Sequence, residues 1–396
     1  MTNTRFDTAW IAQVFVNELI VIYPVYAIMM QETGVSAFEL SILFVIWSLS
    51  ALLLEVPTGV LGDLFNRKHV LAAGGFCKAG GYAVWLIEPS FFGFAGGFVL
   101  WSVGGALRSG TEQALLYDSL SAQGRALDFA KVFGRSRAAG GIGVVTAMLI
   151  GGALAESGYS LPLMLSVAAP VISALLILGL IPDLPGRRSE SSRKANMTLR
   201  TAFGEIRTSR VLVMLAGMFT LLGSVTGVLD EYIGPLLRET ERFRLTEIGV
   251  WYGIVMLART AGVMLAHRAP DFGLARIAAV FVLSNAILAL SLLTPGDTLP
   301  LLLTACFFLS GLAEVRLESL LQESIESASR ATITSLAQLG KEAWGIALFL
   351  ALGLGAQWSS WSLAIGTLGA CTLLLALGFL GMGASATHRL QRRGMD

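Results

Sequence analysis

Twelve apolar segments of about twenty residues follow one another along this chain. They lie at 8–30, 38–60, 69–88, 91–118, 133–156, 160–182, 210–236, 246–266, 272–293, 299–323, 332–356 and 360–382. A hydrocarbon layer about 30 Å thick is crossed by about twenty helical residues, and a helix satisfies all of its backbone groups without water. The pattern therefore predicts an all-α integral membrane protein with twelve transmembrane helices. Composition agrees: 55% of residues are hydrophobic and 14% charged, against about 25% charged in soluble domains. Most connections are short, which makes sequential helices antiparallel. The one long polar break, PDLPGRRSESSRKANMTLRTAFGEIRTSR, is rich in Arg and divides the helices six and six. The expected organisation is an N-terminal bundle at 1–182, a linker at 183–209, and a C-terminal bundle at 210–396 with a short basic tail.

Orientation follows from the basic residues. With the N-terminus inside, 20 of the 28 Lys and Arg fall in inner loops, tails or helix ends, and only Arg238, Arg242 and Arg244 fall outside. Both termini and the linker are thus expected to be cytoplasmic, and the basic tail is expected to meet anionic lipids. Residues 1–8 are polar and the first apolar segment is long enough to span, so no cleavable signal peptide is expected. Cys77, Cys306 and Cys371 stand apart in apolar segments and predict buried thiols. His69, His267 and His388 fall in loops or the tail. No metal centre, cofactor, nucleic-acid partner or Walker-type ATPase loop is expected.

The stretch Leu54 to Lys68, LEVPTGVLGDLFNRK, joins the second and third segments. Glu55 opens it, and Gly59, Gly62, Asp63, Arg67 and Lys68 follow in the pattern G-x-x-G-D-x-x-x-R-K. An ordinary basic loop accounts for Arg67 and Lys68 but leaves the spaced glycines and Asp63 unexplained. The stretch resembles the loop 2–3 signature of the major facilitator superfamily, G-x-L-G/A-D-R/K-x-G-R-R/K. Leu64 stands where that signature has a base, and Asn66 where it has Gly. Asn tolerates a left-handed backbone, so the turn is expected to survive. The resemblance implies a cytoplasmic gate at Glu55, Gly59, Gly62, Asp63, Arg67 and Lys68, and two pseudo-symmetric six-helix bundles that alternate in access.

Three further stretches bear on the resemblance. Glu112 to Arg125 and Leu317 to Arg330 align without a gap at an offset of 205 residues, with Leu115/Leu320, Leu116/Leu321, Ser119/Ser324 and Arg125/Arg330 identical. That spacing fits a duplicated six-helix unit. Gly134, Gly143, Gly151 and Gly152 match the spacing of the family's helix 5 antiporter motif, with Ala147 and Met148 in place of its Gly-Pro. The same glycines also suit close helix packing. Arg108 in RSGTEQALLYDSL resembles the family's helix 4 motif, although Glu112 replaces its Gly. The wording is similar to a bacterial drug and small-molecule efflux branch, which implies export and names no cargo.

Charges inside the segments cost at least about 2.5–3.5 kcal/mol each on insertion scales, so each needs a partner or a purpose. Glu18 lies mid-way along the first segment with Asn17 and Gln13 beside it. Lys78, Arg108 with Glu112, Arg259, the run Glu314, Arg316 and Glu318, and Lys341 with Glu342 lie within later segments. The superfamily lines its cavity with helices 1, 4, 7 and 10, so the resemblance implies a proton-coupling and substrate cavity at Gln13, Asn17, Glu18, Arg108, Glu112, Arg259, Glu314, Arg316, Glu318, Lys341 and Glu342. A second reading makes Arg108–Glu112, and Glu314 with Arg316 or Lys341, structural pairs. Glu18 has no base on its own helix after Arg5 and is the candidate proton carrier. Asp230 and Glu231 are expected near the watered outer end of the seventh segment. Trp47, Trp101, Tyr23 and Trp344 suit either a cavity lining or an interfacial belt.

The expected protein is a monomeric secondary transporter of a bacterial inner membrane that exports a small drug-like, amphiphilic or zwitterionic molecule in exchange for protons. Import or uniport of a metabolite, lipid handling and a receptor role are the alternatives. An enzyme is not expected, because no nucleophile–base pair or metal set occurs in the chain.

Overall fold

The computed structural model of the protein describes residues 3–182, 210–266, 273–294, 296–325 and 330–393. Of residues 3–4, 56, 59–64, 210, 330–332 and 383–393 it describes the backbone alone. The linker at 183–209 lies outside the described residues. Two compact units form, Met1–Lys194 with Phe243–Gly253, and Ala195–Arg242 with Ile254–Asp396. The first contains α1 (Asn3–Glu18), α2 (Tyr26–Glu32), α3 (Ala37–Leu64), α4 (Arg67–Ile87), α5 (Phe91–Arg108), α6 (Thr111–Ala122), α7 (Phe129–Ala155) and α8 (Ser160–Leu180). The second contains α9 (Arg210–Leu221), α10 (Val225–Asp230), α11 (Ile233–Glu239), most of α12 (Leu245–Ala266), α13 (Leu274–Leu290), α14 (Leu299–Ser324), α15 (Arg330–Trp358) and α16 (Trp361–Arg393).

Eleven helices of the described residues are long and apolar enough to cross a membrane. The first apolar segment is divided between α1 and α2, so neither piece reaches that length. Pro24 cannot donate to the carbonyl four residues back, and the helix opens over 19–25. Ser166 on α8 closes part of the gap, its Oγ accepting from the Ile22 backbone N–H at 2.9 Å. The seventh segment, expected as one helix, is in three pieces for the same kind of reason. Pro235 follows the opening at 231–232, and Gly223 sits in the opening at 222–224. There α15 braces the freed backbone: Trp344 Nε1 donates to the Leu221 carbonyl at 3.2 Å, and Ser224 Oγ donates to the Lys341 carbonyl at 3.1 Å.

Glycine sets the helix spacing in the first unit. A Cβ on Gly104 of α5 would lie 2.6 Å from the Gly74 carbonyl of α4, and one on Gly81 would lie 2.6 Å from the Gly97 carbonyl. Above these contacts Tyr26, Tyr82, Trp85, Phe98 and Trp101 form an interior aromatic cluster, with Trp85 and Phe98 centroids 4.9 Å apart. Phe6, Trp10, Leu71, Leu115, Leu116 and Ile177 make the other apolar core of that unit. In the second unit Leu215, Met218, Phe281, Leu317, Leu321 and Ile333 do the same. The cysteines depart from the expectation: only Cys306 is buried, while Cys77 is half-buried and Cys371 exposed. An apolar segment reveals its hydrophobicity but not which of its faces turns outward.

Candidate functional site

In the first unit, four helices bring polar side chains together around the lower half of α1. Arg108 at the end of α5 donates from Nη2 to Glu112 Oε1 at 3.0 Å and to Gln13 Oε1 at 3.3 Å. Gln13 Nε2 donates to the same Glu112 oxygen at 3.3 Å. Ser173 of α8 completes the set, its Oγ donating to the Gln13 carbonyl at 3.0 Å. Arg108 and Glu112 do not share a helix. Gly110, at φ +69°, ends α5 and starts α6, and the pair spans that turn. Arg108 Nη1 and Asn17 Oδ1 are buried without a hydrogen-bond partner.

Glu18 is the last residue of α1, half-buried where the helix opens. Asn17 Nδ2 donates to its Oε1 at 2.9 Å. Gly140 and Gly143 of α7 pack on its aliphatic stem, where a Cβ at either would come within 3.4 Å of it. Its isolation is nevertheless less complete than its own helix suggested, because Lys78 of α4 lies within electrostatic reach of Glu18, Arg108 and Glu112. Lys78 was not among the expected site residues. The ammonium sits 5.8 Å from the Tyr23 ring and 5.7 Å from the Trp101 ring. Each such contact is worth about 0.5–2 kcal/mol, comparable with the insertion cost of one mid-membrane charge. Gly74, Lys78 and Tyr82 recur at i, i+4 and i+8, a pattern that marks one face of α4 and was legible in advance.

In the second unit the expected partners of Glu314 are corrected. Arg259 of α12, rather than Arg316 or Lys341, reaches it, with Nη2 donating to Oε2 at 3.0 Å, and Thr226 of α10 donates to the other carboxylate oxygen. The Lys341 ammonium lies 5.0 Å over the Phe219 ring instead. Glu342 accepts from Gln338 at 2.8 Å along the same helix. Arg316 is half-buried and Glu318 exposed, and Gln322 donates to Thr334 at 3.0 Å. The stripe Glu314, Glu318 and Gln322 thus does not gather at one point. Asp230 is the last residue of α10, and Glu231 begins the opening at 231–232 inside the seventh segment.

At the loop signature, α3 ends at Leu64 and α4 begins at Arg67. Gly59, Gly62 and Asp63 fall within α3, and their side chains lie outside the described residues. Asn66 has φ −62°, so no left-handed turn is needed; its side chain instead caps α4 by accepting from the Lys68 N–H at 3.0 Å. Arg67 donates to Asp118 of α6 at 2.5 Å, a partner in a distant segment that the motif did not name. Glu55 is exposed and Lys68 buried. Arg125, in the repeated stretch, grips Asp7 with Nη1 and Nη2 at 3.0 and 2.9 Å. The Asp7 bond, with a smaller contribution from Asp128, raises the Arg125 pKa above its ordinary value.

The four helix 5 glycines separate. A Cβ would lie 2.5 Å from the Phe15 carbonyl at Gly143, 2.1 Å from the Val21 carbonyl at Gly151 and 2.1 Å from the Leu245 carbonyl at Gly152. Gly134 faces open space. Tyr23, Trp47 and Trp101 belong to the interior cluster, with Tyr23 and Trp101 centroids 5.4 Å apart and Trp47 and Trp101 5.7 Å apart. Among the described residues no group of His, Cys, Asp or Glu is arranged to hold a metal ion.

Helices long and apolar enough to cross a membrane, in two units and carrying ion pairs within the spans, define a polytopic membrane protein. The chain belongs to the Major Facilitator Superfamily, whose family model matches residues 12–348. Its fold is shared with the solved nucleoside transporter NupG, at TM-score 0.76 and 14% identity, covering 96% of this chain and 99% of that one. A bacterial homologue of the human lysosomal transporter Spinster, inward-facing and unoccupied, matches at TM-score 0.73 and 15% identity over 97% and 98% of the two chains. A bacterial homologue of the iron transporter ferroportin, inward-facing, matches at TM-score 0.71 and 16% identity over 97% and 100%. No curated protein sequence matches the chain.

Proposed function

We propose that this secondary transporter exports a small charged or zwitterionic organic molecule in exchange for protons, with Glu18 as the proton-carrying carboxyl. It acts as a monomer in a bacterial inner membrane, with both termini cytoplasmic and the proton gradient as its energy source. Solved relatives named for nucleosides and for iron have this fold, so the fold leaves the cargo open. One observation carries the assignment: Glu18 is half-buried at the opening of the first helix, held by Asn17 at 2.9 Å, while Glu112 and Glu314 are each engaged by a guanidinium at 3.0 Å. Among the described residues no guanidinium bonds Glu18, so its carboxyl is the one of the three not already committed to an ion pair.

Proteoliposomes with an imposed pH gradient test the proposal. Glu18→Gln should still exchange cargo across the membrane but should not concentrate it. Accumulation equal to that of the unmutated protein would move the coupling role elsewhere, with Glu314→Gln as the competing variant.

A further inference from the structure

Lys78 is buried, with 6% of its surface exposed. Among the described residues no hydrogen bond or ion pair reaches its ammonium; its close company is the Tyr23 and Trp101 rings. An ammonium has three donors and loses water on burial, and ring faces satisfy none of those donors directionally. Five buried polar atoms of the same unit have no hydrogen-bond partner; besides Asn17 Oδ1, Ser119 Oγ and Gln123 Oε1 they include two donors near Lys78, Arg108 Nη1 and the Tyr82 hydroxyl, which sits on the same face of α4 as Lys78. Polar donors without acceptors are rare in a finished core. Their concentration here marks a place where an acceptor arrives from outside.

We propose that Lys78 is the anion-recognition residue of the transport site and takes a monoanionic carboxylate-class group of the cargo, whose apolar part lies against Trp101 and Tyr23. The charges present select for this class. Glu18, Arg108 and Glu112 all act on Lys78. Arg108 is already bonded to Glu112 at 3.0 Å, so a dianion such as phosphate would meet the Glu18 carboxylate with only the Lys78 ammonium uncommitted to hold it. A single carboxylate matches one ammonium and one hydroxyl. The position is held firmly: a Cβ on Gly104 would come within 3.1 Å of the Lys78 Cβ, so α5 packs directly on the stem of the lysine. The inference rests on the transporter reading above and assigns the negative pole of a zwitterionic cargo, leaving Glu18 to the proton.

The test requires no transport and no known cargo. Iodide, an anionic fluorescence quencher, is titrated into purified protein against sodium sulfate at fixed ionic strength. A saturable quenching component is expected in the unmutated protein. It should disappear in Trp101→Phe, weaken about tenfold or more in Lys78→Gln, and survive in Lys78→Arg. Benzoate should displace iodide, and benzamide, which has the same ring without the charge, should not. Quenching without saturation, Lys78→Gln indistinguishable from the unmutated protein, or equal displacement by benzamide would each overturn the proposal. Should Lys78→Gln fail to fold, Lys78→Arg and the benzoate–benzamide contrast decide it. A site that binds iodide in a protein that fails to accumulate any cargo would refute the transport reading alone.

Discussion

Arg259 on α12 donates to Glu314 on α14 at 3.0 Å, joining residues 55 positions apart in the second unit. The side chains are 35% and 15% exposed, so the pair is sheltered but not sealed. Removing one charge leaves the other poorly compensated, which matters more than the strength of the pair itself.

Glu314→Gln should therefore lower stability by about 2 kcal/mol in detergent, and Arg259→Gln/Glu314→Gln should recover part of that loss. Glu318→Gln, at an exposed position of the same helix, should stay within about 0.5 kcal/mol. Thermal unfolding of the four proteins measures this. An equal effect at Glu314 and Glu318 would remove the pair from the account.

Asp63→Asn is expected to abolish accumulation without preventing insertion. Asp118→Asn should have the same effect, because Asp118 holds Arg67 of the same loop at 2.5 Å. Size-exclusion profiles establish folding, and accumulation in vesicles gives the result. Full activity of either variant would separate the loop signature from transport.

Gly143→Ala places a Cβ 2.5 Å from the Phe15 carbonyl, whereas Gly134→Ala meets nothing within 4 Å. The first should cost about 1–3 kcal/mol by overpacking and the second should be neutral or slightly stabilising. Unfolding temperatures of the two alanine variants compare them directly.

Cysteines introduced at Ser191 and Gly394 should resist an impermeant thiol reagent in intact cells and react in inverted vesicles. Both sites lie outside the described residues. The exposed Cys371 and half-buried Cys77 must first be replaced by Ser, so that labelling reports only the new thiols. Labelling of both sites from outside would reverse the topology.

Chain chemistry alone determined the membrane class and the family. Apolar runs of spanning length and a charged glycine loop are local properties, and no distant contact can alter them. The repeat of Leu115, Leu116, Ser119 and Arg125 at 205 residues was legible for the same reason. Proline and glycine marked the openings of the first and seventh segments only in hindsight, because Pro57 and Pro170 lie inside unbroken helices. Whether a proline opens a helix depends on a neighbour such as Ser166 taking up the freed backbone, as Trp344 does at the glycine opening. The Arg108–Glu112 pair was legible from its spacing, but ion-pair partners distant in sequence were a matter of tertiary structure. Arg316 and Lys341 were plausible for Glu314 by proximity in sequence or chemistry, yet packing delivered Arg259. Lys78 was visible as a misplaced charge, but only the approach of α4 to α5 through Gly74 and Gly104, together with the opening of the first segment, sets it beside the Trp101 and Tyr23 rings. Composition fixes how many charges a membrane must accommodate; helix packing decides which of them meet.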